Sequence, residues 1–538
     1  MQTGLILCPL DSGEADWLRG VAERVHVKDV AVLLLGEDRI RRNPDAVIQF
    51  ILRNNLKGVV VVCDPIEGGL TEPLSYAFEN AGLGRLAVNY VDIGTLSPGG
   101  NAEDQASLLY AIVMVNLVRI EQGFDSDDIV SKSVLTRSGV SRRTLLRSLR
   151  RGLRVQTDIP LVLNERCGIR SKGCEHCLRA CPFGAITRGD NAVIINERLC
   201  TECGACAREC PVGAIQSPAI SDAQLAAMLN VLAGGESESS KRALLLTCPL
   251  GVSKLSEEAR SGKRLPLTII PVSIPCVAAV GGVHYLWSAA LGVSMITVCP
   301  DKSCQKSVVV LPVAEQARSC GELLRVFAGE TASSANIILA GDESIVTNAS
   351  QMKLASIPAG AELGVPSLSR REATIDALRV MTDNRRDMIL PRAGEFIPIF
   401  DITVDSESCT LCELCRVHCP DHAIDFLKKE TSLSLVFDPE RCSGCGICVK
   451  HCPEDAVSLS RLGDLSVVVE RMRGEKVHDA YAKCAGCGAS MGSRRNLESL
   501  EKRLKGEGVS EASLRALHLC LSCKQATTVR STWNEGPS

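Results

Sequence analysis

Residues 409–420 read CTLCELCRVHCP, and residues 442–453 read CSGCGICVKHCP. Each segment spaces its cysteines C-x2-C-x2-C-x3-C-P, the pattern that wraps thiolates around a cubic 4Fe-4S cluster. Where two such runs occur together, the fourth cysteine of each serves the other cluster. The proline fixes the turn after the last ligand because its ring locks φ. The crossing rule assigns Cys409, Cys412, Cys415 and Cys452 to one cube, and Cys442, Cys445, Cys448 and Cys419 to another.

Nearly the same pair occurs earlier. Cys200, Cys203, Cys206 and Cys210 form a regular run, whereas Cys167-x6-Cys174-x2-Cys177-x3-Cys181-Pro182 has four extra residues between its first two ligands. The same rule gives Cys167, Cys174, Cys177 and Cys210 for one cube, and Cys200, Cys203, Cys206 and Cys181 for the other. The four runs close alike, as CPFGAI, CPVGAI, CPDHAI and CPEDAV, and the A-[IV] pair is expected to pack over the cluster and exclude water. Sixteen cysteines in this register imply four 4Fe-4S clusters in two dicluster ferredoxin modules, at 161–218 and 401–462. His176, His418 and His451 lie inside runs with full cysteine complements, so they are expected to be surface residues or to tune potentials from outside the ligand set.

The rest of the 538-residue chain is long enough for three to five domains at roughly 150 residues each. A net charge of −3 with 23% charged residues points to neither nucleic acid nor an anionic membrane as partner. Twenty-seven cysteines dense in CxxC pairs read as metal ligands in a reducing compartment, hence a cytoplasmic protein. The first twenty residues have no basic n-region and no useful apolar h-region, so no secretory signal is expected. Residues 277–298 lack Asp, Glu, Lys and Arg, but they contain glycines, His284, Ser288, Ser294 and Thr297 between flanking cysteines. A buried helix leading into a strand is expected there, not a transmembrane span. The segment SRRTLLRSLRRGL, 141–153, lacks the apolar stretch of a twin-arginine signal and reads as a basic surface helix within a linker, 123–160.

Residues 1–122 alternate apolar runs, GLILC (4–8), VAVLLLG (30–36) and GVVVVCD (58–64), with stretches of helical spacing, the pattern of a small doubly wound α/β domain. Cys8 and Cys63 fall at predicted strand ends, where such sheets place ligands, although two cysteines cannot hold a cluster and buried thiols are equally at home there. Residues 240–345 repeat the pattern with ALLLTC, LTIIPVSIPC and VSMITVCPDKSC. A connecting segment, 346–400, carries no motif, and Cys320 has no partner at ligand spacing. In the C-terminal region, 463–538, CAGCG (484–488) and CLSC (520–523) frame a helical pattern. Cys484, Cys487, Cys520 and Cys523 match a four-thiolate zinc site, with a fifth 4Fe-4S cube as the alternative. The expected fold class is therefore multidomain α/β plus α+β: two small doubly wound domains, two dicluster ferredoxin-like modules and a zinc-ribbon-like C-terminal element. No G-x-G-x-x-G, Walker A or C-x-x-C-H motif occurs, so no flavin, nucleotide or covalent haem is expected.

Two resemblances extend this reading. VVVVCDPIEGGLTEPLSYAFENAGLG (59–84), followed by SLLYAIVMVNLVRI (107–120), resembles the N-terminal domain of the heterodisulfide reductase A subunit. This chain keeps one cysteine where that family has more, and the family's flavin domain does not follow. Cys248, Cys276, Cys299 and Cys304, the last two as CPDKSC, resemble the delta subunit of methyl-viologen-reducing hydrogenases, with the first CxxC reduced to CPLG. That resemblance implies a 2Fe-2S cluster on these four cysteines, against the plainer reading of inert strand-end thiols. Together they imply an iron-sulfur electron-transfer subunit of an anaerobic heterodisulfide-reductase-like complex, partnered by a flavoprotein and a hydrogenase or dehydrogenase. Two alternatives stand beside it: a stand-alone disulfide or sulfur-compound reductase using the central cysteines, and a cluster-bearing scaffold.

Overall fold

The computed structural model describes residues 3–8, 18, 20–25, 30–63, 70–83, 87–92, 102–122, 158–167, 174–190, 192–234, 242–300, 304–328, 335–340, 344–352, 369–382, 397–462 and 464–526. The basic segment 141–153 lies outside them. The chain forms two compact units, Met1–Cys167 with His176–Ile397, and Gly168–Glu175 with Pro398–Ser538.

The first unit begins with four parallel strands, β1 (Thr3–Leu7), β2 (Ala31–Leu34), β3 (Gly58–Cys63) and β4 (Val88–Asp92), in the order β2-β1-β3-β4. The continuous apolar runs TGLIL and GVVVVC are buried along their whole length, as both faces of a parallel sheet demand. The strand β4 and the full extent of helix α1 (Ala102–Glu121) are additions to the pattern legible in sequence.

The first ferredoxin module follows with short antiparallel pairs, β5 (Leu161–Val162) with β8 (Ile215–Gln216) and β6 (Ile186–Arg188) with β7 (Val193–Ile195), around the five-residue helix α2 (Ala205–Glu209). Helix α3 (Asp222–Ala233) starts at a capping box in which Ser221 Oγ accepts from the Gln224 N–H and the Gln224 side chain accepts from the Ser221 N–H.

The central domain has strands β9 (Ala243–Thr247), β10 (Ile269–Ser273), β11 (Ser294–Pro300) and β12 (Ala335–Ala340), all parallel in the order β10-β9-β11-β12. This is the topology of the N-terminal sheet repeated, and the first strand of each is followed by Cys-Pro-Leu, at 8–10 and 248–250. The uncharged stretch 277–298 is a 3-10 turn, helix α4 (Gly282–Ala290) and β11, with Tyr285 and Trp287 fully buried. No helix among the described residues is long and apolar enough to cross a membrane. Helix α5 (Ser307–Ala328) buries Cys320. Part of the connecting segment is also core: helix α6 (Arg370–Thr382) buries nine of its thirteen residues.

Buried arginines knit these parts together. Arg119 of α1 donates to the carbonyls of Ala219 (2.7 and 3.0 Å) and Ser273 (2.8 Å), and burial lowers its pKa to about 10. Arg208 of α2 donates to the carbonyls of Ala278 and Val309 at 3.1 and 3.0 Å. Each contact satisfies buried donors and carbonyls that would otherwise cost about 1–3 kcal/mol apiece.

The second unit contains an antiparallel pair, β13 (Phe400–Val404) with β16 (Val457–Arg461), and a four-stranded antiparallel sheet of β14 (Ile424–Lys428), β15 (Ser432–Phe437), β17 (Gly474–Lys483) and β18 (Ser490–Ser493). Because β17 pairs directly with β15, the C-terminal region continues the ferredoxin sheet across residue 462. Helices α7 (Arg494–Gly506) and α8 (Glu511–Leu517) follow.

Candidate iron-sulfur and thiolate sites

In the second unit, Cys409, Cys412, Cys415 and Cys452 line one pocket together with Phe426, Leu435, Pro453 and Val457. Cys419, Cys442, Cys445 and Cys448 line another with Ala423, Ile424, Phe437 and Leu459. These are the two sets that the crossing rule groups. Phe426, Leu435 and Phe437 from the β14–β15 hairpin supply apolar walls, so the thiols are desolvated; burial pushes Cys415 up to about 12 and Cys448 to about 11. Such thiols stay protonated at neutral pH unless a metal is bound, and coordination deprotonates them outright.

The loops share a backbone code that the cysteine spacing does not display. In each regular run the second and fourth residues after the first cysteine have positive φ: Glu202 and Gly204, Leu411 and Glu413, Gly444 and Gly446. Three residues after the last cysteine of every run φ is positive again, at Gly184, Gly213, His422 and Asp455. These turns aim N–H groups at sulfur. Glu202 and Gly444 donate to Cys200 and Cys442 at 3.4 Å, while Ala214, Ala423 and Ala456 donate to Cys210, Cys419 and Cys452 at 3.2–3.3 Å. The alanine in three of the four A-[IV] pairs thus has a second task besides packing, since hydrogen bonds to sulfur favour the charged thiolate. The His418 and His451 rings, each one residue before a fourth cysteine, stack at 4.2 Å on the surface.

In the first module, Cys206 lies among Cys203, Cys200, Cys177 and Cys181, and burial followed by these neighbours pushes its thiol well up. The other set, Cys167, Cys174, Cys177 and Cys210, is interrupted by residues 168–173, outside those described.

In the central domain, Cys248 directly follows β9, Cys276 lies three residues past the end of β10, and Cys299 lies in β11, all three buried at the carboxyl edge of the sheet. Burial, then the neighbouring thiols, raises Cys299 to about 12; burial is also the main cause that lifts Cys276 to about 11, with Cys203 and Cys248 adding to it. Cys304 is half-buried beyond residues 301–303, which lie outside the description. The nearness of Cys203 to Cys276 follows from close packing between α2 and the turn after Cys276. A Cβ added to Gly204 would stand 2.5 Å from the Ala279 Cβ, and φ there is +74°. Cys8 and Cys63 are buried in the apolar core of the N-terminal sheet.

The C-terminal cysteines form a different kind of site. Sγ atoms of Cys484, Cys487, Cys520 and Cys523 all lie within 4.8 Å of one another, with Cys487 and Cys520 3.6 Å apart. Four thiolates about 2.3 Å from one tetrahedral zinc ion stand roughly 3.8 Å apart, so the set fits a single ion. Around a cube the sulfurs bind four different irons and must spread wider. Cys484 accepts N–H bonds from Cys520 (3.2 Å) and Gly486 (3.4 Å), the first of which leads in lowering its pKa to about 6. The first pair sits on the β17–β18 turn, whereas the second opens a helical turn, so only one of the two comes from a hairpin. Ser493 Oγ, which caps α7, also donates to the Thr410 carbonyl at 2.9 Å, and Arg503 pairs with Glu454 at 2.5 Å, so this element packs on the loops of the Cys409 pocket.

Residues 172–215 and 408–456 each match a family model described as a 4Fe-4S dicluster domain, and a third model of that description matches 434–490, reaching from the Cys442 run to Cys487. The chain carries 4Fe-4S dicluster ferredoxin domains. They give it an iron-sulfur, electron-transfer character with several 4Fe-4S clusters. No curated protein matches the chain.

Spacing singled out the ferredoxin and C-terminal cysteines, whereas the four central cysteines came from a resemblance. It missed the buried arginines and the left-handed loop positions. Glycines at 184, 204, 213, 444 and 446 signal the latter in sequence, and Glu202, Leu411, Glu413, His422 and Asp455 at the equivalent positions obscure the pattern.

Proposed function

We propose that the chain is the iron-sulfur electron-transfer subunit of a heterodisulfide-reductase-like oxidoreductase complex, passing single electrons between a hydrogenase or dehydrogenase and a flavoprotein or reductase. In this reading the sixteen ferredoxin cysteines hold four cubes in the crossed sets given above. Cys248, Cys276, Cys299 and Cys304 hold a 2Fe-2S cluster, and Cys484, Cys487, Cys520 and Cys523 hold zinc. Bound clusters supply reversible one-electron chemistry in which one cluster loses the electron that the next gains. The chain's residues desolvate the thiolates, donate hydrogen bonds to sulfur and hold neighbouring sites in contact.

The observation that carries the reading is the pair of four-cysteine pockets in the second unit. The Cys203–Gly204 and Cys276–Ala279 junction adds to it by bringing ferredoxin and central cysteines together. The test is anaerobic reconstitution with iron analysis and an EPR-monitored redox titration. Fewer than about twelve irons per chain, at four per cube, or clusters silent across the titration, would end the proposal.

One observation favours the reductase alternative. A cavity of about 660 Å³ runs between β4 and β10, and its lining residues Thr247, Pro249 and Pro275 are sequence neighbours of Cys248 and Cys276. That alternative requires a nucleophilic thiolate, which needs a lowered pKa, whereas burial raises Cys276 and Cys299. It predicts turnover of organic disulfides by the isolated chain with an artificial donor, lost in Cys248→Ser with all four cubes retained.

A further inference from the structure

Helix α6 enters the first unit from the motif-free connecting segment, and its first residue, Arg370, is 4% exposed. Arg370 Nη1 donates to the carbonyl oxygens of Ala207, of Arg208 at 3.0 Å and of Cys210 at 3.5 Å. These carbonyls lie at the carboxyl end of α2, where a cation is favoured. The Arg371 N–H donates to the Pro211 carbonyl at 3.1 Å, pinning the same turn. On the other side, Arg370 Nε and Nη2 donate to the Asp222 carboxylate at 3.2 and 2.5 Å.

Asp222 also meets His284 Nε2 at 3.2 Å and accepts from the Gln216 amide at 2.9 Å. His284 Nδ1 accepts from the Gly281 N–H at 3.0 Å, so Nε2 carries the hydrogen and the ring is neutral. The cluster of side chains therefore holds one fixed positive and one fixed negative charge. The positive one touches the Cys210 peptide. Burial raises the Cys210 thiol, and Arg370 is the leading influence drawing it back down. Arg370 also ties residues more than 150 positions apart in sequence.

We propose that Arg370 is a positioning residue that raises the reduction potential of the cluster bound through Cys210. Reduction adds one negative charge to a cluster, and a buried guanidinium in contact with a ligand's peptide favours the more negative state. Asp222 opposes that effect while holding the guanidinium in place. The proposal rests on the electron-transfer reading.

The test is an EPR-monitored redox titration of the anaerobically reconstituted full chain, with the relevant signal assigned as the one that Cys210→Ser alters. Arg370→Gln is expected to weaken reduction of that cluster about tenfold, a shift of about 59 mV downward for one electron, with the other midpoints unmoved. Asp222→Asn leaves Arg370 and its carbonyl contacts in place and is expected to shift the same midpoint upward. A purely structural Arg370 would lower iron content or melting temperature in both variants without opposite shifts. Midpoints that stay fixed, or move the same way in both variants, overturn the proposal. Where Arg370→Gln fails to load the cluster, the sign of the Asp222→Asn shift decides. Absence of any titrating signal in the unaltered chain refutes the electron-transfer reading and this proposal with it.

Discussion

His422 and Asp455 have φ of +50°, three residues after Cys419 and Cys452, where the first module uses Gly184 and Gly213. A left-handed conformation is free for glycine, tolerable for Asp or His and costly for a β-branched residue. His422→Val is therefore expected to lower stability by about 1–3 kcal/mol, and His422→Gly to be nearly neutral. Thermal unfolding of the loaded protein checks this, and equal melting of the two variants would contradict it. His284 gives a pH dependence whose sign follows from its environment. It faces Asp222, Arg370 and Arg208, and burial leads in lowering its pKa below 6.5. A folded-state pKa below the unfolded one contributes stability that is complete above pH 6.5 and lost as pH falls toward the folded value, by up to about 1.4 kcal/mol per pH unit. Asp222 is buried too, yet Arg370 and His284 hold its carboxyl well below the usual range, so its contribution fades only below about pH 3.8 and does not mask the histidine. Between pH 7.5 and 5.5 the unfolding temperature of the first unit is expected to fall, and His284→Gln to flatten that slope. A slope unchanged by the substitution would rule His284 out.

At the scale of elements, the β17–β18 turn and the helical turn at Cys520 bring four thiols to the spacing of one tetrahedral ion. Gly486 belongs to this geometry, since a Cβ there would stand 3.1 Å from Cys523 Sγ. Metal analysis of natively purified protein is expected to find about one zinc per chain, and Cys520→Ser to remove it with iron unchanged. Loss of about four irons in that variant would instead identify a cube. The β14–β15 hairpin is the corresponding element of the ferredoxin module. Leu435 on β15 is fully buried and lines the Cys409 pocket, so Leu435→Ala is expected to cost about 2–5 kcal/mol. A change below 1 kcal/mol in chemical unfolding would show that the hairpin does not depend on that contact.

For the whole molecule, seven segments delimited by composition become two compact units. The first gathers both α/β domains, the first ferredoxin module apart from residues 168–175, and α6 through the guanidinium groups of Arg119, Arg208 and Arg370. The second joins the other module to the C-terminal element through a shared sheet. Calorimetry of the loaded full chain is expected to show two transitions. Trp287→Ala, which empties a fully buried site in α4, should move one, and Leu435→Ala the other. A single transition displaced by both substitutions would mean that the units unfold together.

The sequence by itself determined which cysteines line the two pockets of the second unit, because ligand spacing is a local property of the chain. It also determined the parallel α/β character of 1–122 and 240–345, since strands buried on both faces must be continuously apolar. The extra strands β4 and β12 and the helix α6 gave weaker signals. Only the tertiary structure decided which distant backbone carbonyls receive Arg119, Arg208 and Arg370, which residues take left-handed φ, and that Cys276 lies beside Cys203. Those depend on contacts between residues far apart in the chain, and no local pattern records them. The run at 409–453 thus specified its own two pockets, whereas the surroundings of Cys210 were set by an arginine 160 residues away.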